Sequence, residues 1–134
     1  MLLRKYMSLV GIGSAQIDLI LEKETYQPGE TVQGSFHIKG GTIEQQLKRI
    51  ECDLVKKDEI LDKEEVIHSS SILTSSMIQA DAANQIPFTF TLPVGMGAST
   101  ETRLYRFTTR LFFNQGVASA DQDAIKIITQ PSER

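Results

Sequence analysis

Along most of the chain, apolar and polar residues alternate with a period of two, in runs broken by glycine, proline, asparagine and aspartate. That period belongs to half-buried β-strands and not to helices. Ile17, Leu19 and Leu21 share one face of a first strand, with Gln16, Asp18 and Glu22 on the other, where Ile20 interrupts the polar side. A turn follows in Tyr26-Gln27-Pro28-Gly29-Glu30. Pro28 presets φ for its first corner, and Gly29 tolerates the positive φ that a type II turn needs next. Val32, Gly34, Phe36 and Ile38 then alternate with Gln33, Ser35, His37 and Lys39, until Gly40-Gly41 ends the strand.

The segment 45–57 reads as a long strand with Ile50, Cys52 and Leu54 inward and Arg49, Glu51 and Asp53 outward; Val55 is apolar on that outward face. The charged stretch 57–65 predicts a hairpin tip. Segment 66–78 is β-rich but loaded with serine, so its register can slip by one residue, which suits an edge strand. After a break at Asp81-Ala82-Ala83-Asn84, the residues Ile86, Phe88, Phe90 and Leu92 alternate with Pro87, Thr89 and Thr91. Pro87 and Pro93 cannot donate ladder hydrogen bonds, which places them at a strand end or an unpaired edge position. A loop at 95–100 leads to a long strand over 103–113, with Tyr105, Phe107, Thr109, Leu111 and Phe113 on one face and Phe112 on the other. A last strand is expected at 124–128. Seven strands at this spacing predict an all-β, antiparallel β-sandwich. Residues 1–134 read as one domain, with 1–13 as a flexible lead-in and 130–134 as a polar tail.

Composition narrows the function classes. Seventeen acidic residues against fourteen basic ones give a net charge of −3, so no global attraction to nucleic acid is expected. No window approaches the ~18 uncharged apolar residues of a membrane helix, so integral membrane association is not expected. The single cysteine, Cys52, alternates with Ile50 and Leu54 and reads as a small buried hydrophobe in a reducing compartment. The expected location is cytoplasmic.

Little in the chain reads as catalytic machinery. His37 lies on a polar strand face, and His68 lies in the uncertain segment beside Ser69-Ser70-Ser71, where adjacent strand residues point to opposite faces. Two histidines this far apart, without a cysteine or histidine at ligand spacing, predict no metal and no cofactor. Gly11-Ile12-Gly13 lacks the third glycine and the following helix of a dinucleotide loop. The basic cluster Arg103, Arg106 and Arg110 places Arg106 and Arg110 on one face, a candidate anion- or carboxylate-binding stripe. Ile20, Val55 and Phe112 are apolar on faces that should be wet, and together they form a candidate interaction surface if their strands adjoin.

The turn motif Tyr26-x-Pro28-Gly29-Glu30-x-Val32-x-Gly34 is similar to the one that opens the second strand of arrestin-fold domains. Val10-Gly11-Ile12-Gly13-Ser14-Ala15, Leu21-Glu22-Lys23, His37-Ile38-Lys39-Gly40-Gly41 and Glu44-Gln45-Gln46 narrow the match. With Ile86-Pro87-Phe88-x-Phe90-x-Leu92-Pro93 and Asp121-x-Asp123, they resemble the N-terminal arrestin-like domain of the bacterial sporulation-control (SpoOM) family. The chain departs from that pattern at Ala118-Ser119, where the family has Asp-Pro, and lacks the family's tryptophan near Tyr105. The resemblance implies an arrestin-like, immunoglobulin-like sandwich without a catalytic centre, acting as a regulatory or scaffolding protein through protein partners. Members usually continue into a second sandwich, so apolar surface left uncovered here would be covered by self-association, and a homodimer is expected. Two other readings compete: a small enzyme or anion-binding domain using Arg106, Arg110 and His37, and a peripheral membrane adaptor using residues 1–10.

Overall fold

A computed structural model describes residues 14–114 and 116–129. Its strands are β1 (Gln16–Leu21), β2 (Thr25–Tyr26), β3 (Thr31–Lys39), β4 (Gln45–Asp58), β5 (Lys63–Leu73), β6 (Met77–Ile78), β7 (Ala83–Thr91), β8 (Arg103–Phe113) and β9 (Gly116–Ile127). The seven longer strands are the seven expected, and two short ones join them. The predicted lead-in at 1–13, the tail at 130–134 and the membrane segment at 1–10 lie outside the described residues.

The strands form two sheets, a three-stranded one in the order β1-β3-β7 and a larger one in the order β2-β9-β8-β4-β5, with β6 beside the start of β4. Pairing is antiparallel, as expected, with one two-residue exception where β2 runs parallel to β9. A correction concerns β9, which begins at Gly116 and not near residue 124. Its first half carries Ser119 and Asp121 on the core side, 0% and 1% exposed, and polar residues on a core face hide a strand from an alternation argument. The segment expected as one run over 66–78 divides into β5 and β6.

Turn chemistry fixes the ends. Gly29 has φ 83° and the Glu30 N–H donates to the Gln27 carbonyl at 3.1 Å, which is the type II turn that Pro28-Gly29 predicts. In the β4–β5 hairpin, the Ile60 and Leu61 N–H groups both donate to Asp58 Oδ1, at 2.9 and 3.0 Å. Gly34 answers to a close approach: a Cβ there would stand 2.1 Å from the Ile20 carbonyl oxygen of the neighbouring strand.

The core lies between the sheets. Ile17, Leu19, Val32, Phe36, Ile38, Phe88 and Phe90 face Leu47, Ile50, Cys52, Leu54, Phe107 and Leu111, all buried. Phe107 meets Phe88 and Phe90 edge-on, at centroid distances of 5.5 and 5.2 Å, a favoured geometry for aromatic pairs. Pro87 sits in β7, an outermost strand, as its missing N–H requires.

Candidate functional site

Arg106 and Arg110 stand on the outer face of the larger sheet, opposite Val55 and Glu51 of β4 respectively. Neither presents an uncommitted charge. Arg110 Nη2 donates to Asp53 Oδ2 at 2.9 Å and to Glu51 Oε1 at 3.3 Å. Arg49 Nε donates to Glu51 Oε2 at 2.7 Å, and the Ser69 hydroxyl donates to Asp53 Oδ1 at 2.7 Å. Arg106 Nη2 reaches Glu64 Oε1 of β5 at 3.0 Å. Three guanidiniums thus meet three carboxylates, and the stripe is neutral as a unit. The bond from Arg49 holds the Glu51 carboxyl below the usual range; partial burial opposes this, and Arg110 adds to it.

The apolar residues on outward faces are not one patch. Ile20 is 45% exposed on the three-stranded sheet, whereas Val55 and Phe112 belong to the larger one. Val55 is only 5% exposed, which corrects its expected wet position. The cause is Arg106, whose side chain crosses β4 above Val55 to reach Glu64, roofing it with an aliphatic stem. Phe112 is half-buried, with the Arg49 guanidinium 4.0 Å over its ring.

His37 lies on the outer face of the other sheet, so the sandwich separates it from Arg106 and Arg110. Its Nε2 is 3.0 Å from Ser35 Oγ, and Asp18 is its cross-strand neighbour. His37 and Asp18, with Gln16, Lys39 and Gln85, line a groove of about 270 Å³. A serine beside a histidine suggests a nucleophile and base. However, β3 is paired on both sides, by β1 and β7, so its own backbone N–H groups are committed to ladders. His68 packs edge-on against Phe90 at 5.1 Å. Burial pushes the Cys52 thiol up to about 12.

A seam between the sheets escaped the sequence argument. The N–H groups on the outer edge of β1 and just before it are taken by side chains of the larger sheet: Ile17 N–H by Ser119 Oγ at 3.2 Å, Leu19 N–H by Asp121 Oδ2 at 2.8 Å, and Ala15 N–H by Gln45 Oε1 at 3.4 Å. Asp18, Asp121 and Asp123 bring carboxylate oxygens within 4.8 Å of one another, and each also has a partner within the protein. The signal available in the sequence was Ser119, Asp121 and Asp123 in step with Ile125 and Ile127 on one strand face. It points to polar groups with a structural duty.

A family model described as SpoOM protein matches residues 3–134. The chain belongs to the SpoOM family. It is 38% identical, over 134 aligned residues, to the sporulation-control protein spo0M of Bacillus subtilis (strain 168), covering 96% of this chain and 52% of that protein. The crystal structure of Spo0M from Bacillus subtilis superposes with a TM-score of 0.81 at 37% identity, over 90% of this chain and 51% of the other. This family member therefore spans about half the length of those relatives. A Paenibacillus sp. cycloisomaltooligosaccharide glucanotransferase, complexed with cycloisomaltoheptaose, matches with a TM-score of 0.59 at 16% identity, over 87% of this chain and 14% of the other, and shares the fold alone. Among the described residues no helix is long and apolar enough to cross a membrane.

Proposed function

We propose that this SpoOM-family domain regulates by binding protein partners and carries out no catalysis, with the cytoplasm as its place of action and a homodimer as its working assembly. The observation that carries the reading is the fate of the polar groups. Arg49, Arg106 and Arg110 are consumed by Glu51, Asp53 and Glu64, and Ser119 and Asp121 by the β1 backbone. The backbone N–H groups around the Ser35–His37 pair are committed to the ladders with β1 and β7. Groups spent in this way hold a surface in shape, which is what a docking module requires.

The test is a chimera of the Bacillus subtilis relative in which these 134 residues replace the matching half, assayed for sporulation in a strain lacking that relative. The reading expects the chimera to restore sporulation control, and Ser35→Ala and His37→Ala versions to restore it equally. Loss of complementation by those two variants, with normal protein levels, would replace this reading with a catalytic one.

A further inference from the structure

Two outermost strands lie on the same side of the sandwich, β7 of one sheet and β5 of the other, where the His68 ring meets Phe90. They are guarded differently. β7 carries Pro87 in mid-strand, a residue with no N–H to offer an incoming chain. β5 has no proline, and after Lys63-Glu64-Glu65 its run Val66-Ile67-His68-Ser69-Ser70-Ser71-Ile72-Leu73 has no acidic or basic residue apart from His68. On the side away from β4, no strand pairs with it among the described residues. Val66 and Leu73 are 54% and 80% exposed near its two ends. An edge of this length without charge or proline is the kind that takes another strand.

The register with β4 decides what kind of strand fits. Ser69 and Ser71 lie opposite Asp53 and Glu51, on the outer face, while His68, Ser70 and Ile72 lie opposite Leu54, Cys52 and Ile50, on the inner face. Laid antiparallel about a two-fold axis through Ser70, a second β5 sets Ser70 against Ser70, Ser69 against Ser71, and His68 against Ile72. Each of these pairs shares a face and none opposes like charges; the β-bulge at Ile67, which has no partner on β4, ends the matched run. The segment is complementary to itself.

We propose that a second copy of this chain docks antiparallel along β5, centred on Ser70, and joins the two larger sheets into one. This rests on the binding role proposed above and names the copy and the edge. The full chain is measured by size-exclusion chromatography with light scattering over a concentration series, with circular dichroism as the check of folding. The expected result is a wild-type dimer, its loss in Ser70→Lys and in Ser70→Asp, where a charge would face its own twin, and recovery of a mixed dimer when those two are combined.

Ser70→Cys supplies a second measurement that leaves the charge alone. Since Cys52 is buried, oxidation should give a disulfide-linked dimer through residue 70, and Gln33→Cys on the other sheet should give none. A monomeric wild type, a dimer that survives both charged variants, or an absent residue-70 cross-link would each overturn the proposal. The complementation result is independent of all three, so the edge can fail while the partner-binding role stands; a monomeric wild type would also remove the homodimer proposed above.

Discussion

The Asp121 side chain is 1% exposed and accepts the Leu19 N–H at 2.8 Å. In an Asp121→Ala protein that donor is left buried without its partner, a cost of about 1–3 kcal/mol. Urea denaturation should show the loss, and hydrogen exchange should show the Leu19 amide opening sooner than its neighbours across β3. Cys52 makes the opposite kind of prediction. With its thiol pushed up to about 12 by burial, it should resist alkylation at pH 8 in the native state and react only on unfolding; rapid labelling of the folded chain would contradict the packing described. Glu51 sets a pH dependence. Its folded pKa is below the ordinary 4.5, so the stability it contributes is present above that value and is lost as pH falls through the lower folded one. Arg49→Ala, which removes the leading cause, should flatten the acid limb of a stability–pH curve measured in urea.

At the scale of elements, the turn at Pro28-Gly29 and the alternation in β3 were readable because each depends on residues within a few positions of one another. Gly29→Ala, forced to φ 83° with Val94 Cγ1 only 3.1 Å from the new Cβ, should cost about 1–2 kcal/mol in thermal or urea unfolding. Gly34→Ala should cost more, since its Cβ would meet backbone at 2.1 Å and not a movable side chain. The edge character of β5 was also readable, from its serines. The first half of β9 was not: Ser119 and Asp121 face the core, and their reason for doing so lies about a hundred residues away in β1. Val55 was assigned to the correct face, yet its burial depends on Arg106 reaching a carboxylate two strands over, a contact that alternation cannot express. The same holds for the arginine stripe, whose charge is visible in the sequence and whose neutralisation is visible only once β4, β5 and β8 stand side by side.

Across the whole molecule, one core is shared by both sheets, which predicts a single cooperative unfolding transition. Far-UV circular dichroism and tyrosine fluorescence should report coincident urea midpoints, and separate midpoints would mean that the sheets melt as independent units. Most strand pairings join distant parts of the chain, so refolding is expected on the millisecond-to-second scale of β-sandwiches. The joint between β1 and the larger sheet differs in kind from the strand ladders among the described residues. A backbone ladder is supplied by almost any sequence and survives most substitutions unchanged. Here three acceptors, Gln45, Ser119 and Asp121, supply the hydrogen bonds, so the polar share of the hold of one sheet on the other, beside the apolar core, is written in three codons. Natural variation can tighten or slacken that hold one residue at a time while leaving every strand intact.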